Sequence, residues 1–79
     1  MQKWEYAFVD CEDTHEAWRP RYLNHQELGD WENGSTMIEF SNQVGEQGWE
    51  LVSSNSVLTT TMRGVQLTSI RMIFKRPKP

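Results

Sequence analysis

Gly48-Trp49-Glu50-Leu51-Val52 marks the point where an amphipathic segment ends in glycine and an alternating segment begins. Upstream of it, Thr36 followed by Glu39 forms a T-x-x-E capping box, in which each residue satisfies the other's free backbone donor. Met37, Phe40, Ser41 and Val44 then recur at i, i+3, i+4 and i+7, one stripe of a helix, while Glu39, Asn42, Gln43 and Glu46 fall largely outside it. The spacing predicts a helix over 37–46, and Gly48 suits the left-handed residue that closes it. Gly45 weakens that helix by up to about 1 kcal/mol relative to alanine, and is read as a place of close approach to a sheet.

Downstream, Trp49 and Leu51 alternate with Glu50 and Val52, which reads as the start of a strand. Ser53-Ser54-Asn55-Ser56 interrupts the pattern and predicts a kink. Val57–Thr61 is β-branched and strand-like, Met62-Arg63-Gly64 is the expected turn, and Val65–Arg76 returns as a long strand. The apolar phase of that last strand slips, with Val65 and Leu67 odd-numbered but Ile70, Met72 and Phe74 even. One extra residue near Thr68-Ser69, opposite the kink at 53–56, reconciles the two halves.

At the other end, Lys3–Asp10 alternates Trp4, Tyr6 and Phe8 with Glu5, Ala7 and Val9, a strand with aromatic enrichment on one face. Cys11–Glu16 is polar and acidic and reads as a loop. In the segment 17–28, Asn24-His25 falls where a two-residue turn belongs, and both residue types tolerate positive φ better than most. A short β-ribbon or an ordered loop is expected there, with Pro20 confining its first arm to a sheet edge. Gly29–Ser35 is turn-rich and forms a connection.

These elements assemble as an α+β domain of order β-α-β-β: one helix packed on a three-stranded antiparallel sheet, strand order 1-3-2, with the C-terminal strand central. The expected helix-facing set is Trp4, Tyr6, Phe8, Trp49, Leu51, Ile70, Met72 and Phe74. The back face then carries Glu5, Glu50, Arg71 and Lys75, together with Ala7, Val9, Val52 and Ile73. A ten-residue helix is about 15 Å long and covers only part of such strands, so Val57, Leu58, Val65 and Leu67 extend beyond it. Uncovered apolar surface on a small domain signals a partner. Val9, Val52, Val57, Leu58, Val65, Leu67 and Ile73 are therefore the candidate interface, and a homo-oligomer, a dimer or higher, is the expected assembly.

Seventy-nine residues allow one domain, 1–79. Cys11 is the sole cysteine, which fits a reducing compartment, and no leader or membrane-spanning run is recognisable. The expected location is cytoplasmic, without membrane contact. The net charge of −3 conceals an asymmetry: residues 1–50 hold all eleven acids and three bases, whereas 51–79 hold five bases and no acid. Pairing between neighbouring strands accounts for this more simply than an anion-binding face does. Nucleic-acid binding through Arg63, Arg71, Lys75, Arg76 and Lys78 is disfavoured by the overall acidity.

Candidate chemistry is sparse. Cys11, His15 and His25 do not have the paired local spacing of a zinc site, and no oxyanion loop accompanies a Cys11–His15 pair. The expectation is a non-enzymatic protein with no metal and no cofactor. Trp18, Arg19, Arg21, Tyr22, His25 and Trp31 combine flat rings with cations, a mixture suited to a small nucleotide-like anion. The same aromatics also suit an interface. The leading expectation is a small homo-oligomeric interaction module. The alternative is a small-ligand binding protein using the 18–31 insertion at a subunit boundary.

Trp4-Glu5-Tyr6, Gly45-Glu46-Gln47-Gly48-Trp49-Glu50-Leu51-Val52 and Phe74-Lys75-Arg76-Pro77 resemble a family of short bacterial and phage proteins catalogued as a domain of unknown function, with a pattern like WEY…GxxGWELV…FKRP. The resemblance covers roughly residues 3–10 and 36–77, and the 11–34 insertion is longer than in the shortest members. It implies a compact β-α-β-β fold and no catalytic or cofactor residues.

Overall fold

Helix closure at Gly48 sets the geometry of everything after it. In the computed structural model, which describes all 79 residues, helix α1 spans Met37–Glu46 and ends in a Schellman turn. The Trp49 N–H donates to the Val44 carbonyl at 3.1 Å, and the Gly48 N–H donates to the Gly45 carbonyl at 3.1 Å. Gly48 has φ +91°, a conformation costly for any residue with a Cβ. At the other end Thr36 Oγ1 accepts from the Glu39 N–H at 3.2 Å, and the Glu39 carboxylate accepts from the Thr36 N–H at 2.9 Å, so the capping box is complete. These hydrogen bonds to Thr36 hold the Glu39 carboxyl below its usual range.

The strands are β1 (Trp4–Asp13), β2 (Trp18–Leu23), β3 (Gln26–Glu27), β4 (Glu50–Thr60) and β5 (Gln66–Pro77). They form one antiparallel sheet of order β3-β2-β1-β5-β4. The expected three-stranded sheet is therefore overturned. The 17–28 segment is not an appendage but two strands that widen the sheet beyond β1. The cause lies in β1, which runs on through Cys11, Glu12 and Asp13, residues expected in a loop, and pairs them with Pro20, Arg19 and Trp18. Asn24 and His25, at φ 50° and 70°, make the two-residue turn between β2 and β3. Pro20 sits where β2 has no outer neighbour, because β3 pairs only with Tyr22 and Leu23, so its missing N–H breaks no ladder.

The face assignment of β1 also differs from expectation. Cross-strand partners share a face, and β1 pairs Ala7 with Phe74, Val9 with Met72 and Cys11 with Ile70. Val9, Cys11, Met72 and Phe74 are the buried core, with Met37, Phe40, Val44 and Trp49 packed on it from the helix and its exit. Phe40 meets Phe74 edge to face at 6.2 Å. Trp4, Tyr6 and Phe8 instead project from the opposite, open face, 40%, 53% and 39% exposed. Small side chains on β1 leave room for Phe40 and Phe74 between the helix and the sheet; a row of three aromatics would not.

One irregularity replaces the expected pair. Leu51 opposes Phe74 and Ser53 opposes Ile73, which leaves Val52 as the extra residue of a bulge, while β5 runs through Thr68 and Ser69 in unbroken register. A second register shift falls between Asp10 and Cys11 on β1, where Arg21 is the extra residue on β2. β1 stops pairing with β5 at Ile70, so residues 57–60 and 66–69 continue as a two-stranded arm closed by a turn in which Gly64 has φ +80°.

Gly45 is exposed, and a Cβ there would meet nothing within 4 Å, so it is not the expected point of close approach. Gly45→Ala should therefore raise stability by about 0.5–1 kcal/mol through helix propensity alone. Urea denaturation checks this, and any loss of stability contradicts the open environment.

Candidate functional site

Two surfaces concentrate side chains beyond what the core needs. The first is the open face of the sheet. On it the ladder Trp4-Tyr6-Phe8 of β1 lies beside Pro77, Lys75 and Ile73 of β5, and Asp10 lies beside Arg71. Glu50 and Asn55 of β4 flank Lys75 and Arg71 from the other side. The charges are paired within the face: Arg71 Nε donates to Asp10 Oδ1 at 2.8 Å, and Lys75 Nζ lies 4.3 Å from the centre of the Trp4 ring. The Asp10 hydrogen bond raises the Arg71 pKa above its ordinary value. Strand-to-strand neutralisation thus absorbs part of the charge asymmetry, though through Asp10–Arg71 here and Glu5–Arg76 on the helix side. Outward along β4 and β5, the face continues into Val57 and Leu67.

The expected interface residues are scattered relative to this face. Val9 is fully buried in the core beneath α1 and is unavailable to any partner. Ile73, Val57 and Leu67 share the open face with the aromatic ladder, and Val52 is the exposed bulge residue at the edge. Leu58 opposes Thr68 on the other side of the arm, and Val65 belongs to its closing turn; both are exposed.

The second surface is the 18–31 insertion. Arg21 lies at its centre, donating to Glu27 Oε2 from Nε at 2.9 Å and to Glu12 Oε2 from Nη1 at 2.7 Å. Its guanidinium stacks 5.2 Å from the Tyr22 ring centre and 4.9 Å from that of Trp31. The two carboxylates raise its pKa, the Glu12 hydrogen bond most of all. Arg19 donates to the Gly34 carbonyl and lies 3.6 Å from the Glu16 carboxylate, with its Nε buried and without a hydrogen-bond partner. Trp18 packs against the core, and His25 is exposed in the β2–β3 turn. The structure thus joins Arg21, Tyr22 and Trp31 but directs Trp18 and His25 elsewhere. Both arginines already hold acceptors, so an incoming phosphate has to displace a carboxylate from Arg21.

Cys11 and His15 do not form a pair. Cys11 is buried in the sheet, its thiol pushed up to about 12, while His15 is exposed in the turn that follows β1. No group of three His, Cys, Asp or Glu side chains is arranged to hold a metal ion. No helix is long and apolar enough to cross a membrane.

Comparison with family models, curated proteins and solved structures finds no match. The likeness carried by Trp4-Glu5-Tyr6, Gly48-Trp49-Glu50-Leu51-Val52 and Phe74-Lys75-Arg76-Pro77 rests on those residues alone. Sequence reasoning missed the open-face ladder as a surface, because each phase of β1 carries two acids, Asp10 and Glu12 with the aromatics and Glu5 and Asp13 with Ala7, Val9 and Cys11, and neither is marked as outward.

Proposed function

We propose that this protein is a small homo-oligomeric interaction module that associates through the open face of its sheet. The observation carrying this reading is the exposed Trp4-Tyr6-Phe8 ladder on the face away from the helix. Three adjacent aromatics on one strand are a large apolar commitment for a chain whose buried hydrophobic core is only four residues.

A second copy is the occupant that fits. The molecule measures 47 Å by 25 Å along its two longest axes, which frames a face of order 1,000 Å², against about 800 Å² per partner in a standard interface. The face bears both signs, Glu50 beside Lys75 and Arg71 beside the Asp10 it already holds, so a second copy brought onto it meets no field of a single sign. Sheets stacked in this way pack about 10 Å apart with interdigitating side chains.

Native mass measurement and light scattering at micromolar concentration test the proposal. The expected result is a dimer or higher, converted to monomer by Tyr6→Glu with retained circular dichroism. A monomeric mass for the unaltered protein across that range rejects it.

A further inference from the structure

A cleft of about 350 Å³ opens between α1 and the β1–β2 hairpin, on the side of the sheet opposite the aromatic ladder. Ala7 forms its floor, with the buried Val9 behind it, and Phe40, Val44, Trp49 and Phe74 form its walls. Its polar groups are three carboxamides, Asn24, Gln43 and Gln47, and no ionisable side chain lines it. A volume of this size lies at the lower end of small-ligand sites, which are mostly apolar with a few placed polar groups.

We propose that this cleft binds an uncharged planar ring compound, of one or two fused rings, bearing an amide-like donor–acceptor edge. The apolar floor and aromatic walls suit a flat ring. A carboxylate or phosphate placed among them finds only Arg76, outside the lining and already paired with Glu5, so its desolvation is poorly offset. Asn24 is fixed for recognition: its Oδ1 accepts from the Phe8 N–H at 3.0 Å, and its own N–H donates to the Phe8 carbonyl at 2.8 Å. That clamp commits the side-chain oxygen and leaves the Nδ2 amine as a preset donor. Gln47 makes no side-chain hydrogen bond within the protein and Gln43 only a long one, 3.5 Å from the Ser35 hydroxyl, so both amides are available to a ligand. Arg76 lies 4.4 Å from the centre of the Trp49 ring, anchoring that indole at the cleft's edge. This site is independent of assembly through the open face, because it lies on the other side of the sheet.

Nitrogen–proton NMR of the full chain tests the assignment, with benzamide and adenine as uncharged probes and benzoate as the charged counterpart of benzamide. The uncharged probes should shift the side-chain amides of Asn24, Gln43 and Gln47 and the Trp49 indole, with half-saturation at about 1 mM for a ring of about ten atoms. Benzoate should bind roughly tenfold more weakly. Val44→Phe, which fills the cleft, should abolish the shifts. The double substitution Gln43→Ala with Gln47→Ala, both exposed on the helix surface, should weaken them even if Val44→Phe does not fold. The inference is overturned if neither uncharged probe shifts these signals at about ten times that concentration, if benzoate matches benzamide, or if the shifts survive the double substitution. It is equally overturned if the cleft signals move with protein concentration alone, which assigns the cleft to a second copy.

Discussion

Phe74→Ala should eliminate cooperative unfolding of this domain, whereas Phe8→Ala should leave it in place. Phe74 is 2% exposed, pairs edge to face with Phe40, and is flanked across the sheet by Ala7 and Leu51. Those neighbours cannot close the space a phenyl ring leaves, since Ala7 is small and Leu51 belongs to a strand bent by the Val52 bulge. Phenylalanine-to-alanine changes in cores cost about 3–5 kcal/mol through lost transfer free energy and an unfilled cavity. A single core in a chain of this length supplies only about 3–5 kcal/mol in all. The substitution therefore consumes most of the folding free energy. Phe8 lies on the open face, 39% exposed, and its loss should cost about 1 kcal/mol or less in the monomer. Urea titrations followed by far-ultraviolet circular dichroism, at concentrations below association, separate the two. Equal destabilisation by both substitutions would place Phe8 beneath the helix and reverse the face assignment.

That contrast is also the clearest measure of what the sequence discloses. The helix was legible because its signals are local: the capping box, the apolar stripe and the closing glycine each act within a turn or two. The Asn24-His25 turn was legible for the same reason. Face assignment on β1 was not, because both phases are apolar over Trp4–Val9 and hydrophobicity alone favours the aromatic set. Pairing with β5 decides instead: Ala7, Val9 and Cys11 share the face of Phe74, Met72 and Ile70, on which the helix packs. The acids do not discriminate either, since Asp10 and Glu12 fall in one phase and Glu5 and Asp13 in the other.

Sheet width was hidden for a related reason. Cys11-Glu12-Asp13 reads as loop by composition, yet Glu12 is held in a strand by its contact with Arg21, a residue that the β2 bulge sets beside Glu12 and Glu27 at once. A long-range ion pair of this kind leaves no local periodicity. It also reassigns the 18–31 segment. Its aromatic and cationic residues look available in sequence, but in the fold Arg21 is a cross-brace between β1, β2 and β3. The phase slip of β5 misled in the opposite direction: Val65 and Leu67 are exposed on the arm beyond the reach of α1, so they obey no core phase and require no bulge.

Raising the pH should destabilise this protein from about pH 9 upward, and Cys11→Val should remove that dependence. Cys11 lies between Pro20 and Ile70 in the buried sheet, fully shielded from solvent. Burial first, and the neighbouring Asp10 charge second, push its thiol from the ordinary 9.0 up to about 12. Below pH 9 the thiol is protonated in both states and folding gains or loses nothing from it. Above pH 9 the unfolded chain releases the proton while the folded chain retains it until about pH 12, so unfolding becomes more favourable across that window. The slope is about 1.4 kcal/mol per pH unit, which accumulates to an order of 2–3 kcal/mol by pH 11. That is more than half of what a core this small provides. Denaturation of the unaltered protein and of Cys11→Val at pH 8, 9.5 and 11 gives the difference directly. Parallel pH profiles would mean that Cys11 ionises freely in the folded state. Diverging profiles, with native Cys11 unreactive toward a thiol reagent at pH 8, fix it as a core residue whose neutrality the fold requires.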